Sequence, residues 1–478
     1  MVGAGTAGCV LAGRLSEDPE ADVILLEAGP DGTAEGSTSA NFLAALADPH
    51  RLWTESHSRP TPGAPLRPYM RGRGLGGSAA VNGLVGIWFM PDDTVAWSAA
   101  GATGWDQPSL SPWRRRVEQS IPLRRAPRQD WSPLEQALAL AAEPLGYPWC
   151  ADPNGPSASS WGVGPAPLTL EAGRRCGPVE AYLAPARPRP NLQVRCGVLV
   201  DRVLLAGSRA LGVGTADNEE VLADEVILAA GAIASPAILL RSGVRRPGVG
   251  RNLTDHASAG YSLALSPSAR LTTPDRPVIS SLFRYSSGLA GSGPLDMQLL
   301  PIAATGLDEA GLATASLQAA VMEGFSRGTV TISSEAPAEP PDVDLRLLSD
   351  RRDLVRLRDG LRRVTALLMH EHVKPHLDAV YIDDRGTPLE TNAADDAIDA
   401  WLSSHTGEYV HAAGTCRMGR ADDRLAVVEP SGRLIGHQHL WVADASVLPT
   451  VPRANPQLTI MLVAEKIAAH IRHGPAAG

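Results

Sequence analysis

Gly3-Ala4-Gly5-Thr6-Ala7-Gly8, a run of helix formers, and then Ala21-Asp22-Val23-Ile24-Leu25-Leu26-Glu27 form the stretch from which the rest of the chain is read. The order is Gly-rich turn, helix, strand and acid. Gly3 permits the tight turn, Gly5 lets backbone approach a pyrophosphate, and Gly8 lets helix and strand pack closely. Thr6 and Ala7 open the helix, where unpaired N–H groups and the positive dipole end face the phosphates. Glu27 lies about 20 residues beyond the glycines, where an acid meets an adenosine ribose. The stretch is a dinucleotide-binding fingerprint, and by itself it suits NAD or FAD. Only Met1 and Val2 precede Gly3, whereas a buried strand runs about five or six residues. The first strand is therefore expected to begin upstream of Met1; intact-mass analysis of natively expressed protein checks this, with Met1 as natural terminus the contrary result.

Composition sets the outer bounds. A chain of 478 residues has room for about three domains. Hydrophobic residues at 44% and charged residues at 20% support a buried core and exclude wholesale disorder. A net charge of -9 and a pI near 5.8 do not supply the basic face that nucleic acid requires. Cys9, Cys150, Cys176, Cys196 and Cys416 are odd in number and scattered, which is neither a disulfide framework nor a CxxC metal site. A reducing, cytoplasmic compartment is the expectation. The longest apolar run, 226–240, contains Gly231 and Pro236 and falls short of the ~20 residues that span a bilayer. Peripheral membrane contact stays open.

Beyond Glu27 comes the turn-rich Ala28-Gly29-Pro30-Asp31-Gly32, and later Arg71-Gly72-Arg73-Gly74-Leu75-Gly76-Gly77-Ser78-Ala79-Ala80-Val81-Asn82-Gly83. So many glycines with Ser and Asn between them suit a backbone wrapped closely around a polar ligand. A flexible linker is the alternative, opposed by the apolar Leu84-Val85-Gly86-Ile87-Trp88-Phe89 that follows directly. Residues 132–143 read as helix and 191–206 as strands. Strand 222–230 enters a turn at Ala230-Gly231, and a helix opens at Ser235-Pro236, with Pro at the first helical position. This second strand-to-helix crossing can approach the same dinucleotide. From 257 to 400, short alternating runs such as Thr329-Val330-Thr331-Ile332 and an amphipathic helix over 350–369 predict an antiparallel sheet with flanking helices, a separate substrate-side domain. His370-Glu371-His372 with His376 lacks the HExxH spacing and reads as a solvated helix end, so no metal is expected. The last chemistry-rich segments are His411-Ala412-Ala413-Gly414-Thr415-Cys416-Arg417-Met418-Gly419, Leu440-Trp441-Val442-Ala443-Asp444-Ala445-Ser446 and Asn455-Pro456-Gln457-Leu458-Thr459. Asn455 reads as an N-cap with Pro456 at the first position of a helix running to about residue 471.

In this order the stretches resemble the glucose-methanol-choline oxidoreductase family, FAD-dependent enzymes that oxidise alcohols. The similarity covers nearly the whole chain and rests on 3–8 with Leu25-Leu26-Glu27-Ala28-Gly29, on 73–83, on Ala230-Gly231-Ala232-Ile233-Ala234-Ser235-Pro236, on Val249-Gly250-Arg251-Asn252-Leu253 with Asp255-His256, and on the surroundings of His411, Asp444 and Asn455. It implies an α/β fold: a Rossmann-like FAD-binding domain from 1–45, 71–120, 170–256 and 411–478, interleaved with an α+β substrate domain built on an antiparallel sheet from 46–70, 121–169 and 257–410. It further implies that the first Gly loop with Glu27 and Ala28 holds the ADP half of FAD. Arg73, Gly76, Gly77, Ser78, Asn82 and Gly83 would wrap the pyrophosphate and flavin side, with Ala230 and Gly231 nearby. Val200 would touch the adenine, and Asp444 and Ala445 the ribityl chain and pyrophosphate. Pro456 and Gln457 would open the helix against the flavin. Some members link FAD through a histidine before the Asn of the Gly-rich stretch; here that position is Val81, so the resemblance implies non-covalent FAD.

His411 matches the catalytic histidine of the family and Asn455 the second member of the pair. Alcohol oxidation needs removal of the O–H proton and delivery of the carbon-bound hydride to flavin N5. An imidazole suits the first task, an Asn hydrogen-bonds the developing alkoxide without competing for the proton, and the positive helix end favours charge on the reduced flavin. His256 reads as structural support of the cofactor region. The compact pattern resembles the mycofactocin-associated branch, which implies as donor a small alcohol or a reduced redox cofactor and as acceptor a quinone-like carrier or oxygen. The short substrate portion argues against glucose or choline. A hydroxynitrile lyase on the same fold, with no net redox, is the alternative.

Overall fold

The computed structural model describes residues 1–32, 38–156, 159–289, 291–337 and 339–473, so small parts of the segments 1–45, 121–169, 257–410 and 411–478 lie outside it. Two sheets position the site. In the first, Val23–Glu27 and Leu192–Cys196 run parallel, in register from Val23 opposite Leu192 to Glu27 opposite Cys196. Val226–Leu228 runs parallel to Leu440–Val442. Val2 joins the two halves, bridging Leu26 on one side and Leu228 on the other. Its N–H donates to the Ile227 carbonyl at 2.9 Å, and its carbonyl accepts from Ala229 at 2.8 Å. The unbroken apolar runs Val23-Ile24-Leu25-Leu26 and Val226-Ile227-Leu228 are what a parallel sheet covered on both faces demands.

Helix Thr6–Leu15 leaves the end of the central segment and packs on the C-terminal helix Gln457–His473. Arg14 clamps the contact through Nε and Nη2, both bonded to the buried Glu465 carboxylate at 2.8–3.1 Å. A carboxylate 1% exposed needs such a bidentate, charge-assisted partner to offset its desolvation.

The second sheet is antiparallel, with strands in the order Leu377–Tyr381, Ala257–Leu265, Thr314–Val321, Met297–Ile302, Ser281–Tyr285 and Gly162–Pro165. Helix Arg351–Leu368 lies on it, capped by Asp350, whose side chain accepts from the Arg352 N–H at 2.9 Å. Gly360 permits the close approach: a Cβ there would come within 2.8 Å of the Ala319 Cβ. Helix Pro133–Ala142 opens on a capping box between Ser132 and Glu135, and its buried Glu135 reaches on to accept the Ser280 and Ser281 N–H groups at 2.8 Å. Residues 191–206 form the strands Leu192–Cys196 and Val200–Ala206.

One local expectation fails. The helix after Val226–Leu228 begins at Gly231, so Pro236 lies inside Gly231–Arg241 instead of at its start. Proline has no N–H for the carbonyl four residues back, which leaves Ala232 without its helical partner. The Thr415 hydroxyl fills the gap, donating to the Ala232 carbonyl at 2.6 Å. Among the described residues no helix is long and apolar enough to cross a membrane, and no group of three or more His, Cys, Asp or Glu is placed to hold a metal ion.

Candidate active site

The Gly-rich stretches meet at the end of the parallel sheet. Gly76 N–H donates to the Ala4 carbonyl at 2.8 Å. A Cβ on Gly77 would come within 2.9 Å of the Gly5 Cα, and one on Gly8 would strike the Gly3 carbonyl oxygen at 1.8 Å. Two turns far apart in sequence thus press backbone to backbone and leave a floor without side chains. Glu27 binds them together. Its Oε2 accepts the Ala4 N–H at 2.7 Å, and its Oε1 accepts the Gly29 and Gly74 N–H groups at 2.8 and 2.9 Å. With about four acceptor sites on a carboxylate, about one remains for a ribose hydroxyl. Arg73 bonds the Ala28 carbonyl at 3.3 Å, and Ser78 Oγ accepts the Gly72 N–H at 3.1 Å.

The second crossing joins them. Asp444 accepts the Gly231 N–H at 2.9 Å and the Ser235 hydroxyl at 2.6 Å through Oδ2, and the Ser446 N–H at 2.8 Å through Oδ1; Ser235 in turn accepts from the Ala230 N–H at 3.1 Å. Burial pushes the Asp444 carboxyl up, and these donors pull it back. Ala445 lies buried beside it. Val200 is buried at the start of its strand, two residues past Val198, whose N–H bonds the Glu27 carbonyl at 2.8 Å. Asn82 donates to Gln457 Oε1 at 2.5 Å and accepts from Arg175 at 2.9 Å, tying the Gly-rich stretch to the C-terminal helix. A Cβ on Gly83 would come within 3.0 Å of Ile279.

His411 and Asn455 are brought together. Segments 254–256 and 409–413 run antiparallel, with the Tyr409 N–H on the His256 carbonyl at 3.0 Å and the Ala413 N–H on the Thr254 carbonyl at 2.9 Å. That pairing sets the two imidazoles side by side, Nδ1 to Nδ1 at 2.9 Å. His411 Nε2 on the far side of its ring meets the Asn455 amide at 3.5 Å. Asp255 fixes both backbones, accepting the His256 N–H at 2.7 Å and the His411 N–H at 2.9 Å. Tyr69 donates to it at 3.2 Å, and the Arg71 guanidinium lies 3.9 Å away. Arg71 also bonds the Val410 carbonyl at 2.9 Å, holding Val410 at φ +56°, a left-handed conformation that costs about 1–3 kcal/mol in a non-glycine residue.

Asn455 is not the N-cap of the last helix, and Pro456 is not its first residue. The helix starts at Gln457, and the Asn455 side chain points at His411 while its Oδ1 is buried with no partner. Pro456 supplies the carbonyl for the first turn, accepting the Ile460 N–H at 2.8 Å.

Electrostatics favour neutral rings. Burial pushes His411 well below the usual histidine range, with His256 and Arg71 adding to the effect. His256 is pushed down to about 4 by burial, against the pull of the Pro452 and Met322 carbonyls. Asp255 is raised to about 7 by burial, which outweighs Arg71 and the two histidine N–H groups.

The residues present fit a flavin dinucleotide. Besides the side-chain-free floor, Asn455 Oδ1, Gln457 Nε2 and Thr459 Oγ1 are buried without partners at the start of the 17-residue C-terminal helix. Buried polar atoms call for partners, and a helix N-terminus favours an electron-rich one. The sequence reading missed Tyr69, Arg71, Asp255 as the backbone clamp, Tyr409 and Thr415. Arg71 was visible at the edge of the Gly-rich stretch; Tyr409 and Thr415 carry no sequence signal of their own.

The chain matches the GMC oxidoreductase family over residues 1–258 and again over residues 324–464. It is 36% identical to the 5-(hydroxymethyl)furfural oxidase of Methylovorus sp. (strain MP688), over 98% of this chain and 97% of that protein. It is 31% identical to the mitochondrial choline dehydrogenase of Mus musculus, over 100% and 89% of the two chains. The crystal structure of pyridoxine 4-oxidase from Mesorbium loti superposes with a TM-score of 0.87 at 27% identity, over 99% and 98%. The chain therefore belongs to the GMC oxidoreductase family, as an FAD-dependent enzyme acting on alcohols.

Proposed function

We propose that the chain oxidises a primary alcohol, with His411 as the base for the O–H proton and Asn455 as hydrogen-bond partner of the developing alkoxide. The observation that carries this reading is the facing of His411 Nε2 and the Asn455 amide at 3.5 Å, directly before a helix whose first polar side-chain atoms lack partners. Bound non-covalently in the cradle of Gly3, Gly5, Thr6, Ala7, Gly8, Glu27, Ala28, Arg73, Gly76, Gly77, Ser78, Asn82, Gly83, Val200, Ala230, Gly231, Asp444, Ala445, Pro456 and Gln457, FAD supplies the acceptor for the alcohol's carbon-bound hydride. His411 takes the O–H proton at Nε2, and Asn455 holds the oxygen so that the aldehyde forms without a free alkoxide. The first relative's name specifies a primary alcohol, 5-(hydroxymethyl)furfural.

The segments 1–45, 71–120, 170–256 and 411–478 act in this reading as the FAD-binding domain, and the remainder as the substrate side. A mycofactocin-linked route, with a reduced redox cofactor as donor and a quinone-like acceptor, is the variant of this function that an acceptor comparison tests. The experiment is anaerobic mixing with 5-(hydroxymethyl)furfural, benzyl alcohol and choline in turn. The first two bleach the flavin; a flavin that stays oxidised with every alcohol while cyanohydrin is cleaved contradicts the redox reading. Peroxide formation in air, set against reduction of a quinone-like dye, then identifies the acceptor.

A further inference from the structure

His256 does more than fill space behind the cofactor region. Its Nε2 lies 3.0 Å from the Pro452 carbonyl and its Nδ1 lies 2.9 Å from Nδ1 of His411. A carbonyl oxygen only accepts, so the hydrogen of His256 sits on Nε2; the other arrangement sets two lone pairs against each other at 3.0 Å. Neutral His256 then has a lone pair on Nδ1. That lone pair faces the next ring, so His411 must carry its hydrogen on Nδ1 and donate to His256. The lone pair of His411 is thereby confined to Nε2, the atom facing the Asn455 amide.

We propose that His256 is a positioning residue that fixes the tautomer of His411, holding the basic nitrogen toward the substrate oxygen. The inference rests on His411 being the base, and it adds where the base's hydrogen is kept and by what. The free side chain favours the opposite tautomer, with hydrogen on Nε2, so a site without His256 would present an N–H where a lone pair is needed. When His411 takes the alcohol proton at Nε2, its Nδ1–H becomes a charge-assisted donor to the same acceptor, so the contact strengthens as the proton arrives. The perpendicular setting of the rings, 5.1 Å between centroids at 89°, lets the His411 N–H point along the plane of the His256 ring. Asp255 keeps the pair in register through both backbone N–H groups, and Tyr409 stacks edge-on against His411 at 5.0 Å.

Two measurements test this. The first is the nitrogen spectrum of histidine-labelled holoenzyme near neutral pH, with the His411 signals assigned by their loss in His411→Ala. Expected are a protonated Nδ1 and an unprotonated Nε2; the reverse pattern overturns the proposal whatever the variants do. The second compares anaerobic flavin reduction in His256→Leu and His256→Asn. Leu fills the space without an acceptor and is expected to slow reduction by about 10²-fold at unchanged FAD content. Asn places its Oδ1 near the lost Nδ1 and is expected to recover most of the rate. A merely structural role predicts no recovery by the smaller Asn, and equal rates in Leu and Asn variants overturn the proposal. If His411→Ala itself reduces normally, the base assignment fails instead, which the spectrum of His411 distinguishes.

Discussion

At the residue scale the question is which form His411 takes at rest. Its pKa lies well below the ordinary 6.5 because burial, His256 and Arg71 all disfavour the imidazolium. A lowered value keeps the neutral base present above it, and base is lost as pH falls through it. The acid limb of kcat/KM is therefore expected below pH 6.5. Asp255, raised to about 7, gains charge as pH rises through that value and favours the imidazolium formed in the reaction, adding a shallow rise near neutrality. A main limb centred at or above 6.5 that persists in Asp255→Asn contradicts the account. Glu27 shows what a residue-level reading reaches and what it leaves. Its distance from the glycines was legible; the convergence of N–H groups from Ala4, Gly29 and Gly74 on its carboxylate was not, because residues 47 positions apart meet only when the sheet forms. His256 is a like case, since the Asp-His pair could be read but not its contact with a ring 155 residues away.

At the scale of elements, helices with strong local signals were legible. Asp350 and Ser132 cap where their side chains say they should, because capping is settled within one turn. Pro236 and Asn455 were misread for a shared reason: each residue type suits a helix start, and tertiary partners use it otherwise. The Gly231–Arg241 helix tolerates Pro236 because Thr415, from a distant segment, bonds the freed Ala232 carbonyl. Thr415→Val should leave that buried carbonyl unpaired and cost about 1–3 kcal/mol. A lowered thermal midpoint of the holoenzyme checks it, whereas a midpoint equal to the wild type's means that something else satisfies Ala232. Gly8→Ala is a harsher case. The added methyl meets the Gly3 carbonyl oxygen at 1.8 Å, so helix and turn must part, and the purified variant should carry little or no FAD by its absorbance.

Across the whole molecule, the site is assembled from segments far apart in the sequence. The parallel sheet draws on residues 1–3, 23–27, 192–196, 226–228 and 440–442, and the proposed base and its partner come from the last fifth of the sequence. The α/β class and the antiparallel sheet were legible from the fingerprint and the change of pattern after residue 257, while strand order was not, because local periodicity does not record which strands become neighbours. With Val81 buried where a linking histidine would stand, acid precipitation should release all the yellow chromophore into the supernatant; chromophore retained in the pellet contradicts non-covalent binding. The central claim, that His411 removes the alcohol proton, is tested most directly by anaerobic stopped-flow reduction of His411→Ala holoenzyme by an alcohol that reduces the wild type. The account predicts normal FAD content and a reduction rate lower by about 10²–10⁴-fold, and a rate within a few-fold of the wild type contradicts it.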